Sequence, residues 1–492
     1  MAIALALSPL LVVGIGALLL MLAEAFSKQQ AGLALGAAIV CLSAASFASG
    51  VWLFGVERLG DVSVLSPWLI VDRFTMFFDV LICVGAAVAA LLAGGYLPEH
   101  RLDRGEFYAL LLFATFGAML LAESGDALTL FLGLETMSIG AYAMTAFRRS
   151  SARSAEGALK YFLLGSFAAA LLLYGFALLY GATGHTDLAG IGAAAATPAG
   201  RGPLVVLGAL LVLVGVAFKV SAVPFHAWTP DAYEGAPTPA TTFMAVAVKA
   251  GAFAMLLRVL ILSLGDKAWT SWGAGWPPVL AGLAVLTMTV ANLVAGRQES
   301  VKRMLAYSSI AHAGYALVGV TAIMRSPSEG VASVLFYLVG YSVSTAGVFG
   351  ALILCGSFGR EAVSYEDLAG MGKRHPATAL VFSLFLLSLA GIPPTAGFFG
   401  KWFVFRAAIG AGLYWLAVVA FINSVIGAYY YLRVLVYMYM REPAAGAPVA
   451  IPMRSGYVTA ALVVTAVLVL AMGLAPTPYL DAAIGAATFG RG

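Results

Sequence analysis

The sequence predicts an all-α, polytopic membrane protein of about fourteen transmembrane helices, and three observations carry that expectation. Of the 492 residues, 62% are hydrophobic and only 10% charged, whereas soluble domains run at about 45–50% apolar and about 25% charged. The apolar residues fall into runs long enough to cross a bilayer core, which takes roughly 20 residues of helix. The charges collect in the short stretches between those runs. A net charge of +4 gives no nucleic-acid signature. Cys41, Cys83 and Cys355 lie far apart, each inside an apolar run, so neither a disulfide framework nor a metal site is indicated.

Taken in order, the spans 4–25, 31–54 and 68–95 make an N-terminal three-helix unit over 1–95. The first has no basic flank before it and no convincing cleavage site, which marks a retained helix rather than a signal peptide. Five more spans fill 106–264, at 106–122, 126–147, 155–181, 204–228 and 238–264. Another five fill 277–440, at 277–296, 301–323, 330–356, 377–408 and 412–440, and 456–475 closes the chain. An even number of crossings leaves both termini on one side. Loops of one parity hold Lys28, Arg101, Arg104, Arg148, Arg149, Arg153, Arg297, Arg360, Lys373, Arg374, Arg441 and Arg454. The other parity holds only Arg58, Arg201, Lys267 and Arg325. Positive charge gathers on the cytoplasmic side, so both termini are expected outside.

The two five-helix blocks echo each other. "ESGDALTLFLGLETMSIGAY" begins at Glu123 and "ESVKRMLAYSSIAHAGYALV" at Glu299, 176 residues on. A proline break follows each, at Pro224 and at Pro393/Pro394, with Pro394 170 residues beyond Pro224. Equivalent helices five apart enter from opposite faces, the pattern of an inverted-topology repeat around a midplane site.

Charges deep in these spans need partners, because one at a helix centre costs about 2.5–3.5 kcal/mol. Glu135 stands about nine residues into its span, with Ser138 and Tyr142 on the same face. Lys219 is about fifteen residues into its own span and Lys249 about ten. Glu135 and Lys219 can form a structural ion pair that fixes packing. They can equally form a titrating pair whose ammonium releases and regains a proton as the carboxylate or water moves. Lys160 has Glu156 four residues earlier, so an interfacial salt bridge competes with a relay role. Lys302 and Arg303 stand at a helix entrance, where topology-setting charge is the default reading and a relay the alternative. His312, ten residues deeper, suits proton relay as well as it suits a hydrogen-bonded core position. Arg258, Arg406 and Arg433 lie near span ends and are expected to snorkel.

Pro224 cannot donate to the carbonyl of Val220, nor Pro393 and Pro394 to those of Leu389 and Ala390, so each break frees carbonyls beside a lysine. Unpaired backbone must then line protein or water, unless the kink serves packing alone. His226, Asp231 and Glu234 follow the first break, where capping and proton capture fit equally.

The strings "FLGLETMSIGAY", "FKVSAVPFHAWTPDAYEGAPTP", "SVKRMLAYSSIAHAGY" and "GIPPTAGFFGKW" resemble the antiporter-like membrane subunits of respiratory complex I, from about Asp72 to Arg441. Within that family the likeness is greatest to the subunit N branch of bacterial NADH–quinone oxidoreductase. No length remains for the lateral helix of subunit L, and Lys401 stands where subunit M typically has glutamate. The resemblance implies two inverted five-helix repeats with discontinuous seventh and twelfth helices. It places Glu135, Lys219, Lys249 and Lys401 at the family's proton-translocating positions, and Lys160 and Lys302 where subunit N carries lysines.

It further implies other membrane-arm subunits, including antiporter-like ones, as partners in a bacterial inner membrane. NADH, FMN, iron–sulfur clusters and quinone are expected in partner subunits. This chain itself has no strand–GxGxxG–helix, no cluster-binding cysteine set and no haem pair, so no cofactor is expected in it. Protons are expected to pass from near His312 or Lys302 through Lys249 to Lys401, driven as the Glu135–Lys219 pair opens and closes. The alternatives are a subunit of a Mrp-type cation/proton antiporter or membrane-bound hydrogenase, and a passive membrane scaffold.

Overall fold

A computed structural model describes residues 2–26, 31–55, 63–357, 359–443 and 449–487. Lys28 and Arg58, used above to set topology, lie outside the described residues. The fold is helical throughout, and its long helices follow the predicted spans: α1 Ser8–Phe26, α2 Ala31–Gly55, α3 Arg73–Glu99, α4 Glu106–Glu123, α5 Ala127–Thr145 and α6 Ala152–Thr183. After these come α7a Pro203–Lys219 with α7b Trp228–Gly235, and α8 Thr238–Ser263. The second block holds α9 Pro277–Ala295, α10 Val301–Ala322, α11 Pro327–Cys355, α12a Pro376–Ala390 with α12b Ala396–Gly410, and α13 Tyr414–Met440; α14 is Gly456–Leu474. Eleven of the described helices are long and apolar enough to cross a membrane. α7a and α12a fall short because each is half of a broken span, and α10 because it carries Lys302, Arg303, Ser308, Ser309 and His312.

Local chemistry fixes where helices start. Asp72, Asp126, Ser151, Ser300 and Ser455 cap α3, α5, α6, α10 and α14 by accepting a first-turn backbone N–H. Proline occupies the first turn of α7a, α8, α9, α11 and α12a, where its missing N–H costs nothing. Short helices such as Leu188–Ala196 and Thr477–Ala486 lie outside the predicted spans, being too short to register against a 20-residue ruler.

The caps also expose the repeat. The Asp126 backbone bridges to Asp187, and that of Ser300 to Ser364. Ala127 N donates to Thr186 O, and Val301 N to Val363 O. Each bridge ties the start of one block's second helix to the loop after its third, so the two blocks close with the same device.

Burial separates centre from rim. In α8 and α11, 89% of the most apolar window is inside the protein, against 28% in α1 and α2. The rim helices turn leucine, valine and phenylalanine outward, as helices facing lipid or neighbouring apolar chains must.

The predicted span 204–228 is two pieces. The helix stops at Lys219, Ser221 takes a left-handed φ of +65°, and Trp228 opens the next helical stretch. Lys219 is therefore the last residue of a half-helix. Within α8 the backbone widens into π turns at Met244–Val248 and Val259–Ser263, on either side of Lys249–Arg258. Such turns reposition the side chains that follow them.

Candidate functional site: a row of buried lysines

Lys219 ends α7a, where the helix dipole favours a cation. It is enclosed (4% exposed), and its ammonium donates to Ser138 Oγ at 2.7 Å and Tyr161 OH at 3.3 Å. The rings of Tyr142 and Tyr161 lie 5.7 and 5.2 Å away, within cation–π reach. Ser138 and Tyr142 thus face the lysine as their spacing predicts.

Glu135 behaves differently from expectation. No ion pair joins it to Lys219 among the described residues; it acts on Lys219 only through space. The reason is its position beside the outward stripe Leu128, Leu132 and Ile139 of α5, which leaves the carboxylate part-exposed at the protein's rim. The Ser138 hydroxyl, one turn on, takes the contact with the ammonium.

Lys249 emerges where the first π turn ends. Its ammonium donates to the carbonyl and hydroxyl of Ser309 at 2.6 and 2.5 Å. Ser309 Oγ in turn meets Tyr341 OH at 2.8 Å. One turn further along α10, His312 is buried, with Nδ1 2.6 Å from Tyr337 OH and Nε2 3.1 Å from Tyr431 OH. Tyr431 also bonds Ser308. A further turn on, Tyr315 presents its ring 5.1 Å from the Lys401 ammonium. Ser309, His312 and Tyr315 recur every three residues, so one face of α10 covers the distance from Lys249 to Lys401. A small cavity of about 10 Å³ opens between His312, Tyr341, Ser344 and Ser388, about the room one water needs.

Lys401 lies beyond the second break. Its ammonium donates to Ala390 O, the last carbonyl of α12a, at 2.8 Å, and to Ser424 Oγ at 2.8 Å. The predicted use of a freed carbonyl is seen here. The close approach needs Gly391, whose φ is +87° and whose absent Cβ would stand 2.9 Å from Lys401 Cδ. At the first break the two carbonyls before Lys219 are already taken. Ala217 O accepts from Ala222 N, and Phe218 O from Ser221 N and Trp228 Nε1, so the turn seals its own helix end. Between Lys219 and Lys249 the connection is aromatic: Tyr161 stacks on Trp228 at 4.0 Å, and Trp228 meets Tyr233 edge-on.

The other candidates stand apart from this row. Lys160 is exposed and pairs with Glu156 and Asp231, each at 2.7 Å, and Asp231 also takes Arg303 at 2.7 Å. Burial pushes the Asp231 carboxyl up, but its two cations pull it below its usual range. Glu156, Asp231 and Arg303 line a cavity of about 450 Å³ with Arg153, Glu234 and Glu299, the open mouth of the protein. His226 sits in the α7 break, its Nδ1 buried and unpartnered among the described residues.

Lys302 is not the surface charge that its place at a helix entrance predicts. It is 1% exposed and donates to Ala236 O at 2.7 Å and to Glu361 at 3.3 Å. Sequence reasoning missed Glu361, which sits in the loop after α11 with no motif around it. It also accepts from Tyr96 OH and from Thr238 Oγ1, and Arg148 donates to Tyr96 OH at 2.6 Å. Burial raises the Glu361 carboxyl, yet Lys302, the two hydroxyls and Arg148 bring it down to about 2.

Arg258 does not snorkel either. Its guanidinium is 1% exposed and grips Asp72 through two bonds of 2.9 and 2.8 Å, the fork geometry that lysine cannot offer. Arg406 is exposed as expected. Arg433 caps Gly296 O and Gln298 O over the ring of Tyr365. Asp79 and Glu123, buried acids of α3 and α4, were also missed; an acid seven residues beyond Asp72, inside the apolar stretch 74–95, was the available signal for Asp79.

Comparison with known proteins agrees with this architecture. The family model for "NADH:quinone oxidoreductase/Mrp antiporter, TM" matches residues 124–427. The chain is 66% identical to NADH-quinone oxidoreductase subunit N 1 of Sorangium cellulosum, over 99% of each chain. It superposes on a chain of respiratory complex I from Thermus thermophilus with bound aureothin, at 35% identity and TM-score 0.79, covering 96% of this chain and 98% of that one. A chain of the Mrp complex from Dietzia shares the fold at TM-score 0.84 and 23% identity, covering 99% and 97%. With a family model over more than half its length and a full-length relative at that identity, the chain belongs to the antiporter-like membrane subunits of the NADH:quinone oxidoreductase/Mrp family.

Proposed function

We propose that the chain is a proton-translocating membrane-arm subunit of a bacterial NADH–quinone oxidoreductase, coupling electron transfer in partner subunits to proton pumping. One observation carries the reading: three lysines are buried in the core and held by hydroxyls and carbonyls, with no carboxylate bonded to any of them among the described residues. Such a site can hold an ammonium or a neutral amine with little rearrangement, because hydroxyls donate as readily as they accept. A carboxylate partner would lock the charge in place. The α10 face of Ser309, His312 and Tyr315 offers the proton steps between Lys249 and Lys401. The mouth at Asp231 and Arg303, or the buried Lys302, gives access from the cytoplasmic side, and both termini face the periplasm.

Lys219, which feels Glu135 through space, is the element that a neighbouring antiporter-like subunit can bias. NADH, FMN, iron–sulfur clusters and quinone belong to partner subunits, and the complex sits in the inner membrane. The full-length identity to a subunit N favours this over the Mrp antiporter reading.

The test is the assembled complex in proteoliposomes, with quinone reduction and proton uptake followed together. Lys249→Met should assemble, and coupled turnover should fall at least tenfold. Wild-type proton stoichiometry in both Lys249→Met and Glu135→Gln would sink the proposal and favour a packing role.

A further inference from the structure

A second group of ionisable residues lies away from the lysine row, at the far end of α8 from the mouth. Asp72 caps α3, Asp79 lies two turns inside it, Glu123 ends α4, and Arg258 reaches them from α8. Glu123 and Asp79 are 1% and 0% exposed. The cluster has three carboxyls and one guanidinium. Arg258 is committed to Asp72 through two bonds and to Ala122 O through Nε at 3.0 Å. Both oxygens of Asp79 and Oε2 of Glu123 have no hydrogen-bond partner among the described residues. Each acid nonetheless acts electrostatically within the cluster, Glu123 feeling Asp79, Arg258 and Asp72.

Two buried acids with one committed cation cannot both stay ionised in hydrocarbon, since an unpaired charge there costs several kcal/mol. Either a cation sits between them or they hold a proton. The donor set around the pair favours the proton. The neighbouring groups are Ser49 of α2, Thr75 and Cys83 of α3, and Met119 of α4, a poor oxygen shell for sodium.

We propose that Asp79 and Glu123 form a second protonatable centre, a carboxyl–carboxylate pair that holds at least one proton at neutral pH. Its ligand is the proton itself. Arg258 links it to the pump, because it rides on the helix that carries Lys249, nine residues and about 13 Å away. When the pair loses its proton, the guanidinium beside Ala122 O is pulled from Asp72 toward Glu123, which turns the end of α8. The groups facing the pair are Asp72 and Cys83 from α3, Ser49 from α2 and Arg258 from α8.

Infrared spectroscopy of the assembled complex at neutral pH tests this without relying on pumping. Wild type minus the double variant Asp79→Asn, Glu123→Gln should show a carboxylic-acid C=O band from an apolar site that shifts in heavy water. Should the double variant fail to assemble, each single variant replaces it, and the one-acid remainder should show a displaced band. A difference spectrum with only carboxylate bands overturns the proposal. So does a band abolished by sodium chloride but not by choline chloride at fixed pH, which would make the pair a cation site.

Discussion

Lys219, Lys249 and Lys401 are solvated by the protein in three different ways, and each arrangement makes its own demand. A charge at a helix centre costs about 2.5–3.5 kcal/mol, and a hydrogen bond to a charged group returns about 1.5–3 kcal/mol. Two such bonds per ammonium therefore suffice without a carboxylate, and each lysine has two. Ser138→Ala leaves Lys219 with Tyr161 alone, so we expect a loss of about 1–3 kcal/mol in thermal or denaturant unfolding of the detergent-solubilised protein. Coupled pumping should fall as well, because the ammonium loses the shorter of its two hydrogen bonds. A variant with unchanged stability and pumping would show that Tyr161 and the Tyr142 ring hold Lys219 unaided.

The broken helices show how element geometry differs where sequence looks alike. Lys219 precedes its break and Lys401 follows its own, yet both ammoniums end at the C-terminus of a first half-helix, the negative pole of its dipole. The second break depends on contact between its halves, with Gly397 N donating to Ser388 Oγ and a Cβ on Gly397 falling 1.8 Å from Ser388 O. Gly397→Ala must therefore push α12b away from α12a. We expect about 1–3 kcal/mol of destabilisation and loss of the Lys401–Ala390 bond, visible as reduced pumping. Gly36→Ala on α2 meets open space and should be neutral or stabilising by about 0.5–1 kcal/mol, as for glycine in a helix interior. Equal melting temperatures for the two variants would refute this account of the break.

At the scale of the whole molecule, Glu361 fastens the mouth. It joins Lys302 of α10, Thr238 of α8 and Tyr96 of α3, and Arg148 extends the node to the loop after α5. Its folded value of about 2 lies below the ordinary 4.5. The stabilisation is therefore complete above about 4.5 and is lost as pH falls from there through about 2. Glu361→Gln strips the counter-charge from buried Lys302 and should cost about 3 kcal/mol at neutral pH, the usual penalty for breaking a buried pair. Melting temperatures of wild type and variant should differ at neutral pH and converge as pH drops through that window. A gap independent of pH would mean that Glu361 serves packing and not charge.

Composition and run length determined the membrane-spanning helical class, and the apolar ruler placed each long helix to within a few residues. Serine, aspartate and proline marked the helix starts because capping is local chemistry. The lysines were legible because a cation in an apolar run is costly wherever it packs. Tertiary structure alone decided what each charge meets. Glu135 faces the rim because α5 presents a leucine stripe outward, and Lys302 and Arg258 are buried because carboxylates distant in sequence fold onto them. Glu361 gave no pattern of its own, since its contacts with Lys302 and Tyr96, across 59 and 265 residues, leave no trace in helical periodicity. Spacing reports which face a residue shares; only packing decides what stands opposite that face.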